Sequence, residues 1–107
     1  MLTERATASN GAISIIIAPK SAWQLDEIRI HLSAVGGAGN LTATVDANAG
    51  ATYDTVILTQ DMTAVADLVF KPERPLLFDK GDQLIIAWAN VGNKAYGVEV
   101  KFDVRWS

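Results

Sequence analysis

Residues 75–106, PLLFDKGDQLIIAWANVGNKAYGVEVKFDVRW, divide into three apolar runs separated by two turn signals. In the last run Tyr96, Val98, Val100, Phe102, Val104 and Trp106 alternate with positions that include Glu99, Lys101, Asp103 and Arg105. A period of two places the first set on one face and the charges on the other, as in a strand with one buried side. A helix would scatter the same charges around its circumference. The run before it, QLIIAWANV at 83–91, is apolar on both faces, with Leu84, Ile86 and Trp88 on one and Ile85, Ala87, Ala89 and Val91 on the other. Such a strand is expected inside a sheet, covered on both sides. Between the runs, Asp79-Lys80-Gly81-Asp82 supplies a glycine able to take positive φ, and Gly92-Asn93 suits a tight hairpin.

The remaining chain reads as strands laid against this one. Ile13, Ile15 and Ile17 share a face of 12–18, a β-branched run stopped by Pro19. In 23–33, Ile28, Ile30 and Leu32 alternate with Glu27, Arg29, His31 and Ser33, but Trp23 and Leu25 fall on the opposite parity. That change of phase at Asp26 and Glu27 predicts a β-bulge or an entering bend. After a loop at Gly36, Gly37 and Gly39, residues 41–47 alternate again, and NAGA at 48–51 turns the chain into a further strand at 53–59. Residues 60–67 fit either a loop or a helical turn, too short for an independent helix. A short strand at 68–71 ends at Pro72, and Pro72 and Pro75 force an extended or turning path before 76–78.

With about eight strands and no convincing helix, the fold class is all-β: a two-sheet antiparallel β-sandwich. A jelly roll of two Greek keys is the first choice of topology and an immunoglobulin-like sandwich the second. At 107 residues the chain suits one domain, burying about 65% of the surface its unfolded form exposes. Residues 12–107 are expected to form that domain. Residues 1–11, MLTERATASNG, are small and polar and are expected to be a flexible arm, either a frayed terminus or a segment that orders on a partner, with Leu2, Thr3, Glu4 and Arg5 as candidate partner-binding residues in the second case.

Composition narrows the function classes. Half the residues are apolar and a fifth charged, the net charge is −3, and acids and bases are interspersed. Without a concentrated basic footprint, a nucleic-acid partner is disfavoured. The absence of cysteine removes disulfides and thiolate metal sites. The N-terminal residues lack the apolar core of a secretory signal, and no apolar run approaches the ~20 residues that span a membrane, so no membrane association is expected.

Candidate chemistry is sparse. His31 is the single histidine, on a polar strand face, where solvation is the simpler reading than catalysis or metal binding. Asp46, Asp54, Asp61, Asp67, Asp79 and Asp82 are loop or strand-end carboxylates that a calcium ion would use, but Asp79 and Asp82 flank a Lys and suit turn chemistry with backbone N–H groups. Trp23, Tyr53, Trp88, Tyr96 and Trp106 are the candidates for a sugar-stacking platform. Trp88, Tyr96 and Trp106 lie on inward faces, which leaves Trp23 and Tyr53 to consider, with core or rim packing the favoured reading for both. No catalytic site, cofactor or resident metal is expected, and the chain is not expected to be an enzyme.

The run from Trp23 to Phe102, through WQLDEIRIHLS, ATYDTVILTQDM, PERPLLFDKGDQLIIAWAN and AYGVEVKF, resembles the small jelly-roll virion proteins of tailed bacteriophages, above all head decoration, or cement, proteins. The resemblance rests on pattern and brings no site residues with it. It implies a structural protein on the capsid surface of the virion, made in the host cytoplasm. Such a protein binds the major capsid protein on the outside of the assembled head, stabilises it, and acts as a homo-oligomer, a dimer or trimer. The alternative from another class is a carbohydrate-binding or receptor-binding β-sandwich module of a phage tail or secreted protein.

Overall fold

The structure, a computed structural model, describes residues 2–74 and 76–104. Among these residues the strands are β1 (Leu2–Ala8), β2 (Ile13–Ile17), β3 (Trp23–Leu32), β4 (Asn40–Asp46), β5 (Thr55–Asp61), β6 (Asp67–Phe70), β7 (Leu76–Phe78), β8 (Gln83–Trp88) and β9 (Tyr96–Val104). A 3-10 turn, Ala51–Tyr53, is the helical element described. The strands form two antiparallel sheets facing each other across one core. The first runs β1-β9-β3-β6 with β7 also on β3; the second runs β2-β8-β4-β5.

The pairing is nested. β1 pairs with β9, β2 with β8, β3 with both β6 and β7, and β4 with β5, so the chain is a long hairpin rolled over itself with the β4–β5 connection at its tip. β6 lies against Ile28–His31 and β7 against Trp23–Leu25 on the same edge of β3. They are two halves of one edge line, interrupted where Pro72 cannot donate to a ladder. On its other side β3 pairs with β9, and the register shifts between Leu25 and Glu27, the bulge that the change of phase predicts.

Inward residues of both sheets make the core. Trp23 is fully buried, its ring 4.2 Å from that of Phe78 and 5.6 Å from that of Phe102, and its Nε1–H donates to the Asp82 carbonyl at 3.3 Å. From the second sheet Ile13, Ile17, Leu41, Leu84, Ile86 and Trp88 face it. Each such side chain is worth about 1.5–3 kcal/mol of burial. Met62, in the segment that fits loop or helical turn by sequence, is buried beneath the Gly36 loop. A Cβ on Gly36 would come within 2.5 Å of the Met62 carbonyl oxygen, so only glycine lets the loop close over it.

Three expectations are corrected. The 1–11 segment is not a loose arm over its length: Leu2–Ala8 is a strand fully in register with β9. It forms because β9 presents an otherwise open ladder edge, whose backbone groups need partners. β8 is central in its sheet but covered on one face: Leu84, Ile86 and Trp88 are buried while Ile85 and Ala87 are partly exposed. The fifth strand starts at Thr55, because Tyr53 belongs to the 3-10 turn. On the alternating face of β9, Val98, Val100 and Phe102 are buried and Val104 is exposed; Trp106 lies outside the described residues.

Candidate functional site

The outward residues of each sheet fall into cross-strand rows, and the two outer faces differ in chemistry. On the first sheet the pairings give the row Arg5, Glu99, Arg29, Val69 and, beside it, Thr7, Gly97, His31, Asp67; Thr3, Lys101 and Glu27 form a third. Arg5 Nε donates to Glu99 Oε2 at 2.9 Å, and Arg29 Nε meets Glu27 Oε2 at 2.8 Å. His31 Nδ1 and Asp67 Oδ1 are paired at the β3–β6 edge. The Arg5 hydrogen bond, helped by the charges of Arg5, Lys101 and Arg29, holds the Glu99 carboxyl below its ordinary value. Opposite charges in register are favourable on a sheet surface.

This face is indented. Gly97 carries no side chain, and a groove of about 370 Å³ opens over it between Thr7, His31, the two arginines and Val69.

On the second sheet the two central rows are Ile16, Ile85, Thr44, Val56 and Ser14, Ala87, Thr42, Thr59, and the rows flanking them carry Asp46 opposite Gln83 and Asp61 opposite Asn40. Neither central row contains a charge. Ile16 is 57% exposed and Val56 53%.

The candidate partner-binding residues Leu2, Thr3, Glu4 and Arg5 all lie on β1, each exposed. Thr3 and Arg5 are on the charged outer face, opposite Lys101 and Glu99; Leu2 and Glu4 are opposite the inward Phe102 and Val100. As the edge of its sheet, β1 also leaves one line of backbone groups open, and Glu4 and Arg5 supply the charges that discourage indiscriminate pairing there.

The other candidates have local roles. Asp82 accepts from the backbone N–H of Asp79 at 2.9 Å, the turn chemistry its spacing suggests, and also from the N–H of Asn48 at 2.9 Å, which ties this turn to the β4–β5 connection. Asp54 accepts from the Ala47 N–H, and Asp61 from both the N–H and the hydroxyl of Thr63, which hold its carboxyl below the ordinary value, the N–H foremost. Among the described residues no group of three or more His, Asp or Glu side chains converges to hold a metal ion. Trp23 is core rather than platform, while Tyr53 is exposed on its turn. No helix among the described residues is long and apolar enough to cross a membrane.

No family model matches the chain, and no curated protein matches it. Among solved structures, a chain from "Structure of infectious bursal disease virus Gx strain" matches with 14% identity, 95% of this chain covered and a TM-score of 0.33. This chain spans 29% of that one's length.

Proposed function

We propose that this chain is a structural, non-enzymatic protein of a virion, and more narrowly a head decoration, or cement, protein of a tailed bacteriophage. It attaches to the major capsid protein on the outside of the head and acts as a symmetric dimer or trimer. We read its nested strand order as a jelly roll of two Greek keys. The resemblance carried by the run from Trp23 to Phe102 supports this reading, and one observation carries it furthest: the two uncharged rows at the centre of the second sheet's outer face. Singly exposed apolar residues are normal, but Ile16, Ile85 and Val56 stand in one row across four strands. With strands about 4.8 Å apart, the row is a flat strip of about 15 Å with no charge to desolvate. Its Ile, Thr and Val side chains are stiff at χ1, so ordering them against a partner costs little.

The opposite face is charged and suits exposure to water. A strip of this size falls short of the ~800 Å² that each partner buries in a stable complex, so one copy holds weakly. An oligomer engaging symmetry-related capsid sites multiplies weak contacts. The test is co-sedimentation of purified protein with heads assembled without it. Ile16→Glu is expected to lower occupancy at least about tenfold while leaving the fold intact, because the site is exposed. Undiminished occupancy of that variant would exclude this face as the contact.

A further inference from the structure

We propose that the groove over Gly97 on the first sheet is a binding site for a neutral saccharide. The site goes beyond attachment to a capsid and lies on the opposite face, so the two readings stand or fall separately. Gly97 is the second residue of β9, paired on both sides with Thr7 on β1 and His31 on β3 without a shift of register there, and its φ is not positive; a Cβ there would meet nothing nearer than Thr7 Cγ2 at 3.9 Å. Neither backbone nor packing requires glycine, which in a strand interior costs about 0.5–1 kcal/mol. A strand glycine often marks a bulge, a bend or a close approach of another molecule; the register is unshifted at Gly97, which favours the last. What Gly97 leaves open is a groove of about 370 Å³, toward the small end of small-molecule sites at roughly 300–1,000 Å³.

The lining selects the ligand class. Around the groove two guanidiniums, Arg5 and Arg29, are offset by two carboxylates, Glu99 and Asp67, so an ion gains little net attraction and an anionic ligand is not favoured over a neutral one. The walls are nonetheless dense in oriented hydrogen-bonding groups. Arg5 engages Glu99 through Nε; a guanidinium has five N–H donors and a carboxylate about four acceptor positions, so the pair sets donors and acceptors side by side. Adjacent hydroxyls of a sugar ring match that arrangement, one accepting from the guanidinium and one donating to the carboxylate. Val69, the Thr7 methyl and the bare Gly97 backbone provide an apolar floor for the C–H face of the ring. A neutral ligand with a hydroxyl rim and an apolar face is a saccharide.

The experiment uses the whole chain on a glycan array holding neutral, sialylated and sulfated members, followed by NMR titration with lactose, cellobiose and N,N′-diacetylchitobiose. Neutral glycans are expected to bind, shifting the amides of Thr7, Gly97, His31 and Val69. Gly97→Val, which fills the groove and suits a strand, is expected to abolish the shifts while the unfolding midpoint holds or rises; Arg29→Ala is expected to weaken binding at least about fivefold. Lys101→Ala, outside the groove, is expected to bind as the parent does. The proposal is overturned if no neutral glycan binds, if anionic glycans bind better, or if Gly97→Val binds like the parent.

Discussion

Asn90 is the buried polar side chain of the described interior, 1% exposed. Its Nδ2 donates to the carbonyls of Gly11 at 2.6 Å and Lys94 at 2.9 Å, its Oδ1 accepts from the Lys94 N–H at 3.0 Å, and its φ is 56°. It thus closes the turn after β8 and pins that turn to the β1–β2 connection, in a left-handed conformation that Asn tolerates better than most residues. Asn90→Ala leaves three backbone groups short of partners and is expected to cost about 2–3 kcal/mol in urea unfolding; a loss within about 0.5 kcal/mol would mean that water replaces the side chain. The residue scale also divides what a sequence reveals from what it hides. Asp82 announces its turn role because one of its donors, the Asp79 N–H, is three residues away, and His31 is solvent-facing as its strand parity requires. Asn90 does not, since its Gly11 partner is far away in the chain and an Asn beside Gly92-Asn93 looks like one more turn residue.

The element hardest to read is β1. An edge strand is paired on one side and exposed on much of the other, so its apolar alternation is diluted: the inward parity holds Leu2, Glu4, Ala6 and Ala8 against Thr3, Arg5 and Thr7, too small and polar a pattern to stand out from a loose terminus. Its partner β9, buried on one face, alternates plainly. Because β1 is a rung of the sheet, deleting residues 2–8 uncovers the edge of β9 and is expected to lower the thermal midpoint by at least about 4–8 °C, the equivalent of 1 kcal/mol in a domain this size. An unchanged midpoint would return the segment to the status of an arm. The Arg5–Glu99 contact makes this docking sensitive to acid. Glu99 has a folded pKa below its unfolded value, so its contribution is present above the ordinary carboxylate range and is lost as pH falls through the folded value. Hydrogen exchange is expected to show β1 amides losing protection on acidification before those of β3, and Arg5→Ala is expected to remove the difference. Equal sensitivity of β1 and β3 would show that the pair does not govern the edge. β8 misleads in the opposite way: its second apolar face suggests burial by this chain, whereas Ile85 and Ala87 lie in the uncharged central rows of the second sheet's outer surface.

At the scale of the whole molecule, the two-sheet sandwich is legible because alternation is a local property, carried by residues such as Ile28, Ile30 and Leu32. Strand order is not, because which edge a strand joins depends on partners distant in sequence; nothing in Leu2–Ala8 names β9, and nothing in Leu76–Phe78 names the free stretch of β3 beside β6. The candidate surfaces were hidden for the same reason, since Ile16, Ile85 and Val56 become one strip, and Arg5, Gly97 and Arg29 one groove, only after the strands are ordered. What emerges is a sandwich with two unlike faces, one with uncharged central rows bounded by Asp46 and Asp61 and the other charged and grooved. The most direct measurement is a cryo-electron map of the particle that carries this chain. The account predicts density outside the capsid shell in many symmetry-related copies, with Ile16, Ile85 and Val56 turned toward the major capsid protein and Arg5, Gly97 and Arg29 toward solvent. Density inside the shell, or the charged sheet seated on the capsid, would contradict it.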